Sequence, residues 1–180
     1  VVAFIESCCA NFFKNTSVKK MKIFSLKNCL FFFLSIVLAQ MAGIIGITIA
    51  PIQGGDWYQQ LIKPSWTPPG WIFGPIWFLL YTLIGIAAFI IWLNKSHYLR
   101  KKALFLYFSQ LSLNAMWMPI FAGMQNPGFA FFEIILLLLN IIVMNIFFYK
   151  ISHIASYLIF PYIFWVTFAT VLNFAIWMLN

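Results

Sequence analysis

The chain has 180 residues, of which 64% are hydrophobic and only 8% charged, against roughly 25% charged in a soluble domain. So few polar groups cannot cover a core of this size in water, and a soluble globular protein is excluded. The net charge of +8 points to no nucleic-acid partner, because no basic–aromatic module accompanies it.

Backbone polar groups in lipid must be satisfied internally, which leaves helices or a closed barrel. The apolar runs here are continuous, whereas barrel strands would alternate over about 10 residues. The sequence therefore predicts an all-α integral membrane protein, a five-transmembrane-helix bundle over 28–180. Its spans fall at 29–50, 73–93, 103–122, 128–149 and 155–179. Residues 1–27 read as a basic cytoplasmic tail. The first span is too long for a signal peptide and has no small-residue cleavage motif, while MKIFSLKN from Met21 resembles a natural start.

Charge placement gives an orientation. Lys14, Lys19, Lys20, Lys22 and Lys27 precede the first span, Lys95, Arg100, Lys101 and Lys102 lie between the second and third, and Lys150 between the fourth and fifth. Only Lys63 lies opposite. The positive-inside rule puts the N-terminus in the cytoplasm and the 51–72 loop and C-terminus outside, as expected for a bacterial inner membrane protein. Membrane lipid is an expected partner, with anionic lipid adding to the pull on these bases.

The first span carries small residues four apart at Ala39/Gly43, Ala42/Gly46 and Gly46/Ala50, a spacing that lets helix backbones approach closely. The approach is either to a neighbour in the same bundle or to a second copy. After it, Pro51, Pro64, Pro68 and Pro69 stiffen the loop into a partly extended lid. Trp57, Lys63, Trp66 and Trp71 ride on that lid. Pro75 follows near the start of the next helix, where proline is tolerated.

Membrane tryptophans ordinarily form belts at both interfaces. Here Trp57, Trp66, Trp71, Trp77, Trp117 and Trp177 fall on the outer side, Trp165 near the middle and only Trp92 inside. A belt alone does not produce this imbalance, and several of these rings are expected to line a site open to the outer half. Gln110, Asn114, Trp117 and Phe121 share one helical face, Trp77 and Tyr81 a second, and Trp165, Ala169, Leu172 and Ile176 a third, beside Asn173. The amides Asn114 and Asn173 either bond another helix or meet a ligand.

Ordinary acid–base or nucleophilic catalysis has no players. Glu133 is the only acid within a span, and a structural or capping role near a helix N-terminus is the favoured reading. Asp56 is read as holding the lid. Cys8, Cys9 and Cys29 have no metal or redox spacing, His97 and His153 read as surface residues of the inner loops, and no metal site is expected.

WYQQLIKPSWTPPGWIFGPIWFLLY at 57–81, QLSLNAMWMPIFAG at 110–123 and PYIFWVTFATVLNFAIWMLN at 161–180 together resemble the tryptophan-rich sensory protein/translocator protein family (TspO/MBR), which includes the peripheral benzodiazepine receptor. The resemblance covers about residues 30–180 in order. It implies a five-helix bundle, dimeric in many members, with a pocket under the first loop that binds protoporphyrin IX-like tetrapyrroles and benzodiazepine-type drugs and needs no cofactor. It makes Trp77 and Trp165 the pocket tryptophans tied to light-dependent porphyrin breakdown, Tyr58 the loop tyrosine over the ligand, Asn114 and Trp117 the LNxxW face, and Ala169 a small residue of the wall. Tyr81 and Gln110 join this ligand-binding set from their helical spacing. The animal cholesterol motif is absent, with Phe174 and Met178 at its tyrosine and basic positions, which argues against cholesterol recognition and an animal mitochondrial membrane.

Three functions follow as expectations. The leading one is a receptor or sensor that captures a tetrapyrrole and acts in tetrapyrrole or stress homeostasis. The second is light- and oxygen-dependent porphyrin breakdown. The third is a tetrapyrrole or lipid transporter, disfavoured because the sequence has no internal repeat, broken helix pair or coupling-ion site.

Overall fold

The computed structural model describes residues 26–49 and 56–180. The tail expectations, Cys8, Cys9 and the basic residues before Lys27 among them, lie outside the described residues, as do Ala50 and Pro51. Helix α1 spans Leu26–Ile49, the short α2 Asp56–Gln60, α3 Gly70–Leu93 and α4 Arg100–Met118. A π-helical turn, Pro119–Gly123, continues α4, and α5, Pro127–Ile151, and α6, His153–Leu179, complete the chain. No strand occurs among the described residues.

The helix ends follow local chemistry. Pro69 stands before α3 with an extended ψ of 139°. Its own φ suits a helix entrance, while it keeps Pro68 out of the helical region. As a result α3 starts at Gly70 rather than at the expected 73, and Trp71 belongs to its first turn. Asn126 caps α5 by accepting from the Phe129 N–H at 2.9 Å, with Pro127 in the first-turn position that needs no donor. Ser152, in extended conformation, is the sole link between α5 and α6 and caps the latter. Pro119 has no N–H to give the Ala115 carbonyl, and the next bond runs five residues, from the Met124 N–H to the Pro119 carbonyl at 2.8 Å. The turn therefore widens where proline interrupts the ladder.

The long helices alternate in direction. Gln40 of α1 meets Phe78 and Thr82 of α3, Phe31 meets Trp92, Ser109 of α4 meets Asn140 of α5, and Pro127 of α5 meets Asn173 of α6. All the described bases except Lys63 therefore gather at one end, and Asp56, Lys63 and Glu133 at the other. The helices Lys27–Ile49, Gly70–Leu93, Pro127–Ile151 and His153–Leu179 are long and apolar enough to cross a membrane. Helix α4 is shorter, at 19 residues, and opens on Arg100, Lys101 and Lys102.

Gly43 and Gly46 of α1 pack against neighbours within the bundle. A Cβ on Gly43 would fall 2.4 Å from Tyr81 Cε2, and one on Gly46 would touch Ala115 and Met118 of α4 at 3.4 Å. The closest approach to a neighbouring backbone is at Gly85 of α3, where a Cβ would lie 2.6 Å from the Cα of Ile36. Lipid tails are as apolar as leucine, so close backbone approach of this kind supplies much of helix association in a bilayer. Gly85→Val is expected to force α1 away and to destabilise the bundle by about 1–3 kcal/mol, read as a lower melting temperature in detergent. Gly74→Ala, with nothing within 4 Å of the added Cβ, should leave it unchanged or slightly raised.

Candidate functional site

Beneath the 56–70 segment, a cavity of about 590 Å³ opens between α1, α3, α4 and α6. The residues expected at a ligand site from sequence are largely brought together there: Tyr58, Trp77, Tyr81, Asn114, Trp117, Trp165 and Ala169 all line it. Leu172, Asn173 and Ile176 extend the α6 wall below the lid, and Phe121, at the π turn, closes the α4 side. Among the described residues, the lining also includes Ile44, Ile47 and Phe78, which are exposed on the bundle surface. The cavity thus reaches the outside between α1 and α3.

Gln110 is the exception. It is 0% exposed and stands off the cavity wall, in a polar ladder beneath it. Tyr81 donates its hydroxyl to Asn114 Oδ1, Asn114 Nδ2 donates to the Tyr162 hydroxyl at 3.0 Å, and that hydroxyl donates to Gln110 Oε1 at 2.9 Å. Asn114 therefore serves both alternatives, bonding two neighbouring helices while facing the cavity. Asn173 does the same, accepting from Trp117 Nε1 at 3.2 Å and donating to the Pro127 carbonyl at 2.7 Å. Tyr162, fully buried, was not singled out from the sequence; the signal was its place one turn before Trp165.

Aromatic packing sets the rings. Trp77 stacks on Tyr81 with centroids 5.3 Å apart and meets Tyr162 edge-on at 6.2 Å. Trp165 packs against Phe73 of α3 at 5.7 Å, and its indole N–H is buried without an acceptor. An unpaired buried donor is costly, and here it belongs to a residue of the cavity wall. Phe73 and Gly74, from the Pro-flanked start of α3, complete the aromatic side of the cavity and were not foreseen.

The lid is more structured than the partly extended segment its prolines suggest. Its first part is α2, where Trp57 and Tyr58 both pack edge-on against Phe121, at 5.6 and 6.4 Å. Lys63 Nζ sits 4.6 Å over the Tyr58 ring, and burial raises the Tyr58 phenol above its ordinary pKa, keeping it a neutral donor. Pro64 accepts from both the N–H and the hydroxyl of Thr67 at 3.0 and 2.7 Å. Trp66 rests edge-on against Phe168 at 5.8 Å. Pro68 and Pro69 lead into α3, whose Trp71 is 73% exposed and points away from the cavity lining. Asn180 latches the segment: its Oδ1 accepts from the Ile62 N–H at 2.9 Å and its Nδ2 donates to the Ile62 carbonyl at 3.0 Å. Asp56 is exposed at the start of α2.

Of the two roles expected of Glu133, structural or capping, the capping one does not hold. Asn126 does the capping, and Glu133 lies 7% exposed with neither carboxyl oxygen hydrogen-bonded. His153 stacks on Tyr149 at 4.3 Å, and His97 accepts from the Leu99 N–H at 3.2 Å, both at the base-rich end far from the cavity.

Comparison with known proteins gives a consistent result. The TspO/MBR family profile matches residues 33–178. The tryptophan-rich protein TspO of Archaeoglobus fulgidus is 46% identical over 125 residues, covering 69% of this chain and 80% of that one. The translocator protein of Homo sapiens is 36% identical over 127 residues, 69% of this chain and 75% of that protein. The tryptophan-rich protein TspO of Chlorobaculum tepidum is 37% identical over 148 residues, 82% of this chain and 94% of that one. With its tryptophans gathered round one cavity and the family's profile running through nearly all of its described helices, the chain is a member of the TspO/MBR family of integral membrane proteins.

Proposed function

We propose that this protein is a receptor or sensor of tetrapyrroles, holding a protoporphyrin IX-like ring and other flat apolar ligands in the cavity under the lid. The observation that carries the reading is the convergence of Trp77, Trp165, Trp117 and Tyr58 on one space of about 590 Å³, within the roughly 300–1,000 Å³ of small-molecule pockets. Macrocycle faces stack on indoles, and Asn114 and the unpaired Trp165 N–H offer the few polar contacts that fix orientation. The bundle spans its membrane five times, with α4 and its π turn as the remaining span. The spread of α4 from Arg100 to Gly123 supports this, as does its packing against α1, α3 and α5. The base-rich end faces the cytoplasm of a bacterium and the lid faces out, by the positive-inside rule, and the assembly in the membrane is a homodimer, on the family resemblance alone.

A second reading, photo-oxidative breakdown of the bound porphyrin, draws support from the rings themselves. Trp77 touches both Tyr81, also of the cavity wall, and the buried Tyr162, which puts three oxidisable side chains in contact beside the ligand space.

Titration of the purified protein with protoporphyrin IX in the dark, followed by intrinsic fluorescence, is expected to saturate. The Trp77→Phe/Trp165→Phe double variant should bind about fivefold or more weakly, from about 0.5–1.5 kcal/mol per ring contact. Equal affinity in the double variant would remove the cavity assignment. Under light and oxygen, a defined product that forms only with both tryptophans would establish the second reading, and bleaching at the rate of free porphyrin would dismiss it. Asn180→Ala should free the lid, read as faster hydrogen exchange over residues 60–66 and a faster ligand off-rate. Unchanged exchange there would mean that Asn180 latches nothing.

A further inference from the structure

The base-rich end carries a cluster that the cavity does not use. Trp92, in the last turn of α3, lies 4.3 Å from Phe31 of α1 by ring centroids. Two cations sit over the same indole, Lys95 Nζ at 5.0 Å and the Arg100 guanidinium at 5.7 Å. Lys101 and Lys102 follow, both exposed on the first turn of α4. Arg100 is half-buried, and its Nε is shielded from solvent with no acceptor.

No carboxylate answers these charges among the described residues, because Asp56 and Glu133 are at the opposite end of the bundle. An indole face attracts cations but supplies no hydrogen-bond acceptor to them. Two cations held on one ring, and two more beside them, repel one another unless an anion from beyond the described residues joins them. The surroundings say which anion. On one side the cluster is aromatic and continuous with the lipid-facing surface of α1, where Phe33 and Leu30 are exposed, and on the other it is cationic. That is the profile of a phosphodiester with acyl chains attached: guanidinium and ammonium groups on the phosphate, and Trp92 and Phe31 along the first methylenes.

We propose that Arg100 and Lys95, over the Trp92–Phe31 wall, form a site for the headgroup phosphate of an anionic membrane lipid at the base-rich face of the bundle. The site is independent of the ligand cavity and of what fills it. It fastens the α3–α4 connection to the membrane surface, at the end opposite the lid.

The test is native mass spectrometry of the full detergent-purified chain offered equimolar phosphatidylglycerol and phosphatidylcholine. Phosphatidylglycerol should be retained in preference. Arg100→Gln and Lys95→Gln should each lower that preference about fivefold, while Lys63→Gln, at the other end, leaves it as it was. Lys95 is exposed, so its variant decides the question even where Arg100→Gln fails to fold. An unchanged lipid ratio in Lys95→Gln overturns the site. Inorganic phosphate at matched ionic strength separates the two sources of the anion. Failure to displace phosphatidylglycerol supports the lipid, and displacement assigns the site to the free anion and overturns the proposal.

Discussion

The bundle depends on a polar ladder in a place where polar groups have no other partner. In lipid the hydrophobic effect does not press one helix on another. What sets the register of α3, α4 and α6 is therefore specific: the Tyr81 hydroxyl on Asn114, Asn114 on Tyr162 and Tyr162 on Gln110. Each group is buried, and a shift of one turn in any of the three helices would leave several of them unpaired at about 1–3 kcal/mol each. Everything above the ladder inherits its position. Trp77 stands on Tyr81, Trp165 stands one turn beyond Tyr162, and the cavity is the space that these two residues and the lid leave between them.

Side-chain spacing made this cavity legible before the fold was known. Faces at i, i+4 and i+7 group Asn114 with Trp117, Trp77 with Tyr81, and Trp165 with Ala169, because a helix in a bundle keeps one stripe inward. The same rule overreached at Gln110. Spacing tells which residues share a face, but one turn below Asn114 that face meets Tyr162 rather than open space. The helix ends at Leu93 and Leu179 lie where the sequence puts them, whereas the starts at Gly70 and Arg100 each lie three residues before the expected position. The start of α3 was misjudged because Trp71 reads as a loop aromatic when the preceding prolines are counted with it.

Long-range contacts were the part no periodicity could supply. Asn180 and Ile62 are bonded across 118 positions, and nothing local to either residue marks the pair. Glu133 shows a related limit: its place near the helix start left a structural and a capping role open, and which way its side chain faces, here the interior, depends on the neighbouring helices. The π turn sits between these cases. Pro119 announces an interruption, while its effect, carrying Phe121 to where Trp57, Tyr58 and Trp117 all meet it, depends on the neighbours.

The cavity's mouth between α1 and α3 carries a consequence for how affinity is to be expressed. Ile44, Ile47 and Phe78 belong both to its lining and to the surface that meets hydrocarbon. An apolar ligand partitions into the bilayer first, and this opening presents the site to that dissolved pool sideways, without a passage through water. The concentration that governs occupancy is then the mole fraction of ligand in the membrane. A dissociation constant quoted per volume of buffer will move with the amount of lipid or detergent present, and membranes that carry more lipid per protein will empty the same site at the same total dose.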